Sequence, residues 1–130
     1  MTTLDTTQTE ALAGLLVRSI MSGDIETLRN HVYSPDVVIW HNFDQIEQRL
    51  DDNMKVMAWM AKTLTTMSYD EIRVQVTPDG YVQQHVLRGT TKSGVAIEVP
   101  ACLIVTISDG KITRLDEYLD TAQVAALTTR

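Results

Sequence analysis

The chain has 130 residues, and a length of about 100 to 200 residues usually builds one domain around one core. Seventeen acidic residues outnumber eleven basic ones, and the formal net charge of −6 argues against a nucleic-acid groove or an anionic membrane surface as partner. Hydrophobic residues make up 44% of the chain, which excludes disorder as its main state, and no apolar run reaches the ~18 residues that span a bilayer.

The N-terminal segment indicates where in the cell the protein is located, and the cysteine and histidine residues indicate whether it has a disulfide or a metal site. Residues 1–10 lack the basic start and the apolar stretch of a secretory signal, so we expect a cytoplasmic protein. The single cysteine, Cys102, allows no disulfide framework. The spacing of His31, His41 and His85 matches no ligand motif, and we therefore predict no metal site.

The first third of the chain predicts two helices joined by a tight turn. Thr7 and Glu10 have the spacing of a capping box, which marks the start of an amphipathic helix. Gly23 ends this helix because glycine adopts the left-handed conformation at low cost. Asp24 then caps a second, short helix that runs to about Val32.

The rest of the chain predicts a buried strand, a long helix and a sheet. The β-branched and aromatic run at residues 37–40 indicates the strand, and Asp44 with Glu47 caps a helix that runs to Leu64. Four antiparallel strands follow at residues 69–77, 81–91, 95–107 and 111–119, and a short tail covers residues 121–130. Residues 1–130 thus form one α+β domain, with space for a small apolar ligand between the long helix and a concave sheet.

Four local strings, in this order along the chain, carry a resemblance to a known superfamily. They are Ser22-Gly-Asp24, the first-strand stretch at residues 35–42, Arg88-Gly-Thr90, and the run at residues 109–120 that begins Asp-Gly-Lys-Ile. The chain resembles the nuclear transport factor 2-like superfamily, and within it the SnoaL-like polyketide cyclases, the ketosteroid isomerases and the limonene-epoxide hydrolases. The resemblance implies a cystatin-like fold, in which three helices pack on a curved antiparallel sheet that forms a cone with an internal pocket. It also implies chemistry without a cofactor.

The hydrolases of this group hold their attacking water with three side chains, a Tyr and an Asn on the first strand and an Asp on the last. The resemblance places Trp40 and Asn42 on the first two positions and Glu117 on the acid. The middle-strand Arg-x-Asp pair of these enzymes falls on Gln84 and Val86, which cannot relay a proton. The hydrolase machinery is therefore incomplete in this chain.

The isomerases of this group use a first-strand Asp as the base and an oxyanion hole made of a Tyr and a protonated Asp. The base position falls on His41 or Asn42, the Tyr position near Leu16, and the later Asp position on Cys102. None of the three is kept. The SnoaL-like cyclases, with carboxylate and histidine chemistry in an apolar cavity, are the group that this chain fits best.

Glu117 is the first candidate for catalysis on grounds independent of any family. Strand alternation places Leu115, Glu117 and Leu119 on one face, so a carboxylate lies between two leucines. If that face lines the cavity, desolvation favours the protonated acid, as suits a general acid or base.

Alternation leaves two orientations open. On the first strand, either His41 or the pair Trp40 and Asn42 faces the cavity, and the resemblance to the hydrolases favours the pair. On the second strand of the meander, either the face with His85 or the face with Gln84 points inward.

We therefore predict a small-molecule-binding SnoaL-like protein that acts as a cofactor-free isomerase, cyclase or hydrolase. The alternative is a non-catalytic ligand-binding or dimeric interaction module, and a homodimer is expected because the strand at residues 95–107 is apolar on both faces. The predicted catalytic residues are Glu117, Asn42 and His41. The predicted binding residues are Trp40, Leu16, Met57, Gln84, His85, Cys102 and Leu115.

Overall fold

A computed structural model describes residues 4–128 and places helices against one six-stranded sheet. Residues 1–3 of the N-terminal segment and residues 129 and 130 of the predicted tail lie outside the described residues. No helix in the described part of the chain is long and apolar enough to cross a membrane.

The first helix, α1, spans Thr6–Ser22 and begins slightly earlier than predicted. Its capping box is formed by Asp5 and Gln8 rather than by Thr7 and Glu10: Asp5 Oδ1 accepts from the Gln8 amide at 2.7 Å, and Gln8 Oε1 accepts from the Asp5 amide at 3.0 Å. The predicted end is confirmed, since Gly23 has a left-handed φ of 68°.

The predicted second helix is present in two parts. Asp24 caps α2, which spans Ile25–Thr27, and a π-helical turn continues over Leu28–Val32. Leu28 and Val32 are fully buried, so this short segment is held by the core rather than by its own length.

The long helix, α3, spans Leu50–Thr63 and starts six residues later than the predicted Asp44. Asp44 instead closes a turn, because its Oδ1 accepts from the Ile46 amide at 3.0 Å. The next residues, Glu47–Gln48, form the short strand β2 and pair with β1. Pairing with a neighbouring strand thus overrides a local capping signal.

The remaining strands follow the predicted order. They are β1 (Tyr33–His41), β3 (Leu64–Thr77), β4 (Gly80–Thr91), β5 (Ala96–Ser108) and β6 (Lys111–Leu119). The spatial order is β2-β1-β6-β5-β4-β3, and β1 runs parallel to β6 while the other pairs are antiparallel. The sheet is therefore mixed, not purely antiparallel as predicted, because only strands joined by a hairpin must run in opposite directions.

The predicted C-terminal tail forms a helix, α4, over Thr121–Thr128. Asp120 Oδ1 accepts from the Ala122 amide at 3.0 Å and starts the helix. Val124 packs on the buried Ile97 and Val99 of β5. This contact with the sheet orders a segment that has no hydrophobic periodicity of its own.

The main core lies between α1, α3 and the concave face of the sheet, and it contains Leu16 and Met54 from the helices. On β4, Tyr81, Gln83 and His85 are buried, so the face with His85 points inward and Gln84 is exposed. The orientation that alternation left open on this strand is thereby decided.

Candidate active site

An internal cavity of about 30 Å³ lies between α1, α3 and the concave side of the sheet. Most of its wall is apolar, and three predicted binding residues, Leu16, Met57 and Leu115, are part of it. The full lining comprises Leu16, Val17, Ile20, Tyr33, Ile39, His41, Asn53, Met57, Tyr69, Leu103, Leu115 and Glu117.

His41 and Glu117 form an ion pair at this cavity. The parallel register of β1 and β6 sets His41 beside Glu117, so both side chains leave the sheet on the same side. His41 Nε2 lies 2.9 Å from Glu117 Oε1, and the two side chains are only 10% and 17% exposed. The structure therefore brings together two of the three predicted catalytic residues.

The pair changes the proton affinity of the imidazole. Burial lowers the pKa of His41, but the hydrogen bond and the negative charge of Glu117 outweigh burial and raise this pKa above the usual value for histidine. His41 Nδ1 is buried and has no partner among the described residues. The carboxylate therefore holds one ring nitrogen, and the other is shielded from solvent.

Two tyrosine hydroxyls accompany this pair, and the sequence analysis missed both. Tyr33 and Tyr69 line the cavity, and burial raises the pKa of each far above its usual value, with a further contribution from the charge of Glu117. Both hydroxyls stay protonated and can donate hydrogen bonds. Tyr33 was missed because β1 begins at Tyr33 instead of residue 37.

Asn53 of α3 is the other polar side chain that the sequence analysis missed. It is 2% exposed and lines the cavity, and its Nδ2 donates to Gln48 Oε1 at 3.1 Å. Its Oδ1 is buried without a partner among the described residues. Helical spacing from Leu50 and Met57 was the signal that could have found it, since positions 50, 53 and 57 share one face.

The comparisons with known proteins agree with this architecture. The model of the SnoaL-like domain matches residues 15–115, which is most of the chain. The protein belongs to the SnoaL-like family. No curated protein is significantly similar to this SnoaL-like chain in sequence.

Solved structures show that this SnoaL-like chain has the NTF2-like fold. An NTF2-like protein from Burkholderia xenovorans superimposes with a TM-score of 0.81 at 17% identity, over 98% of this chain and 100% of its own. IdmH from Streptomyces antibioticus, a candidate polyketide cyclase, has a TM-score of 0.80 at 20% identity, over 93% of this chain and 98% of its own. TsrD from Streptomyces laurentii has a TM-score of 0.81 at 19% identity, over 96% of this chain and 97% of its own.

In this SnoaL-like protein, Trp40 and Asn42 lie outside the cavity, in contrast to the expected inward orientation. Trp40 is on the other side of β1 from His41, and its ring meets Tyr118 edge-on at 5.2 Å. Asn42 pairs with the backbone of Leu119: its Nδ2 donates to the carbonyl at 3.2 Å, and its Oδ1 accepts from the amide at 3.1 Å. Asn42 thus joins the ends of β1 and β6 through both polar atoms of its amide.

Gln84 and Cys102 are also placed away from the cavity. They are partners in the register of β4 and β5, where inward-facing His85 and Leu103 are their neighbours. Gln84 is exposed and Cys102 is half-buried. Both therefore belong to the outer face of the sheet.

His85 is buried next to the cavity without lining it. Its ring stacks on Tyr69 with centroids 4.6 Å apart, and its Nδ1 is 3.0 Å from Gln83 Nε2. Burial lowers the pKa of His85, and the charge of Glu117 only partly opposes this shift. His85 is therefore a neutral ring behind Tyr69, and it reaches an open groove of about 430 Å³ beside the bulge of β3.

Proposed function

We propose that this SnoaL-like protein binds a small, largely apolar molecule in the cavity and moves a proton on it without a cofactor, as an isomerase, cyclase or hydrolase. The observation that carries the proposal is the 2.9 Å contact between His41 Nε2 and Glu117 Oε1 at an apolar cavity. A carboxylate and an imidazole in such surroundings form an acid–base pair suited to neutral pH. We expect this activity in the cytoplasm.

Each side chain has a defined part in the proposed reaction. Glu117 takes a proton from the substrate and returns it. His41 contributes a positive charge beside the carboxylate and shares the proton with Glu117 through Nε2. The hydroxyls of Tyr33 and Tyr69 donate to a substrate oxygen on which negative charge develops. The likeness to IdmH, a candidate polyketide cyclase, supports a carbonyl-bearing substrate.

A substrate is needed before this proposal can be tested. Apolar carbonyl compounds and lactones are first screened for their ability to raise the melting temperature of the wild-type protein, because a ligand that binds only the folded state stabilises it. Each compound that binds is then incubated with the protein and analysed for chemical change.

The decisive variant is Glu117→Gln, which keeps the side-chain volume and cannot exchange a proton. We expect turnover to fall by ~10² to 10⁴ while ligand affinity changes little. Asp116→Asn is the matched control. Asp116 immediately precedes Glu117, lies on the opposite face of β6, and pairs with Arg114 at 2.9 Å. Asp116→Asn should turn over the substrate like the wild type.

The alternative function is a binding or dimeric module in which the pocket groups only satisfy one another. It is favoured if the wild type leaves every bound compound unchanged between about pH 5 and about pH 9, the range in which a histidine and carboxylate pair works. Equal turnover by Glu117→Gln and the wild type would likewise contradict the role of Glu117.

We further propose that the protein is a homodimer that pairs through the outer face of the sheet. Ile104 and Tyr118 on that face are 46% and 47% exposed, and contiguous exposed apolar side chains mark interaction surfaces. Light scattering should give twice the chain mass of 14.6 kDa. Ile104→Lys should give the monomer mass, whereas Val95→Lys, at an equally exposed position before β5, should not. A monomeric wild type at micromolar concentration would contradict the homodimer.

A further inference from the structure

One polar atom of the cavity has no role in the proton transfer proposed above. Asn53 Oδ1 is buried and unpartnered among the described residues, while Nδ2 of the same amide is held by Gln48 Oε1 at 3.1 Å. Asn53 lines the cavity, and the bond to Gln48 fixes its amide with Oδ1 as the side-chain atom that lacks a partner among the described residues. Buried carbonyl oxygens are nearly always paired, so a free one at a cavity calls for a donor from a ligand or a water.

The charges of the cavity restrict what that ligand can be. Glu117 is acidic, and its counter-ion His41 already pairs with it. The lining contains no Lys or Arg side chain, so nothing in it compensates a ligand carboxylate or phosphate. We therefore expect the ligand of this cavity to carry no net charge.

The size of the cavity places a further condition on binding. A volume of about 30 Å³ holds a water but no organic ligand, so a ligand must displace a side chain of the wall. Met57 of α3 is the best candidate to move, since it is only half-buried and methionine is unbranched and adaptable. Asn53 lies one helical turn before Met57 and stays anchored by Gln48.

We propose that Asn53 is the specificity-determining residue of this site, and that its Oδ1 accepts a hydrogen bond from a hydroxyl of the ligand. The ligand class is a neutral apolar compound that bears an alcohol, enol or phenol group. This inference rests on the proposed function for the position of the reacting atoms at Glu117, but the recognition step itself requires only the cavity.

Phenol and fluorobenzene are a matched pair of probes, since they have similar size and only phenol has a hydroxyl donor. Both are titrated into the ¹⁵N-labelled wild-type protein near neutral pH and followed by amide chemical shifts. We expect phenol to bind ~10-fold more tightly, because one hydrogen bond between neutral groups contributes about that factor. A wild type that binds neither probe, or binds both equally, overturns the proposal.

Asn53→Leu removes the acceptor and keeps a side chain of similar volume. We expect this variant to bind the two probes within about twofold of each other, since the hydrogen bond is lost and the apolar contacts remain. Asn30→Leu is the control, because Asn30 is exposed and is not part of the cavity lining, and it should keep the wild-type preference. An Asn53→Leu variant that still prefers phenol tenfold overturns the assignment.

A second measurement uses the wild type alone, in case Asn53→Leu does not fold. Both rings shift nearby signals when they bind, so the side-chain amide signal of Asn53 should shift further with saturating phenol, which adds a hydrogen bond, than with saturating fluorobenzene. No shift with phenol overturns the assignment. Failure here is distinct from failure of the proposed function, because Glu117→Gln is expected to lose turnover and to retain the preference for phenol.

Discussion

His41 and His85 lie on the same concave side of the sheet and are buried to a similar extent, at 8% and 4% exposure. Their proton affinities nevertheless move in opposite directions. His41 has a carboxylate partner on β6 and a raised pKa, whereas His85 has the amide of Gln83 and a lowered one. Burial alone lowers the pKa of both rings. The hydrogen-bond partner, Glu117 for His41 and Gln83 for His85, therefore decides which ring carries charge.

This difference gives the surroundings of the two histidines a different chemistry. The His41 end has an ion pair with Glu117 at the cavity, which suits proton transfer. The His85 end has a neutral ring stacked on Tyr69, which suits packing and hydrogen bonding. The following experiments test this contrast.

The largest expected difference is in turnover of a substrate found by the screen. His41→Gln should lower turnover by ~10² to 10⁴, because the charged partner of Glu117 is lost. His85→Gln should lower turnover by less than about tenfold, since this ring does not touch the cavity and acts through Tyr69. Equal losses in both variants would remove the functional distinction between the two histidines.

A smaller effect is expected on the pKa of His41 itself. Glu117→Gln removes the negative charge that opposes burial, so the pKa of His41 should fall. The pKa of His85 should fall less, because Glu117 contributes to it only at a distance. Titration of both imidazole signals by NMR measures the two shifts in one sample. If the pKa of His41 stays unchanged, the ion pair is not formed in solution.

The two histidines should also shape the pH dependence of stability with opposite signs. The raised pKa of His41 contributes stability that is fully present below the ordinary pKa of ~6.5 and is lost as pH rises through the folded-state pKa. The lowered pKa of His85 contributes stability that is present above ~6.5 and is lost as pH falls through the folded-state pKa.

Urea unfolding from about pH 5 to about pH 9 checks these signs, since it covers the range in which both rings titrate. His41→Gln should lose the most stability relative to the wild type at the acidic end. His85→Gln should lose the most at the basic end. Parallel pH profiles for the two variants would contradict the opposite shifts.

The smallest expected effect concerns the tautomer of His85. Gln83 Nε2 lies 3.0 Å from His85 Nδ1, so donation from the amide keeps the ring proton on Nε2. Gln83→Leu removes this donor and should mix the two tautomers, which ¹⁵N chemical shifts of the ring detect. Gln83→Glu is the counterpart: a carboxylate accepts from Nδ1–H and should move the proton there. An unchanged ring spectrum in both variants would show that Gln83 does not set the tautomer.

Local sequence signals were sufficient wherever one residue type has one strong preference. Gly23 and Asp24 ended and restarted the helices as predicted, and β6 has the predicted bounds. Local signals failed where a tertiary contact competed. Asp44 had the spacing of a helix cap, yet α3 begins only at Leu50 because the residues before it form β2 and pair with β1.

By itself the sequence determined the order of the first three helices and the five long strands, the family, and the placement of Glu117 between two leucines on one face of β6. Only the tertiary structure decided which face of β1 is inside. Alternation relates the faces of His41, Trp40 and Asn42 to one another, but the absolute direction depends on the neighbouring strand and on the helices that cover it. The parallel register of β1 with β6 turned His41 toward Glu117 and sent Trp40 outward. The packing of α3 on the same concave face then brought Asn53 to the cavity: helical spacing relates Asn53 to Leu50 and Met57, but only the packed helix shows that this face meets the cavity.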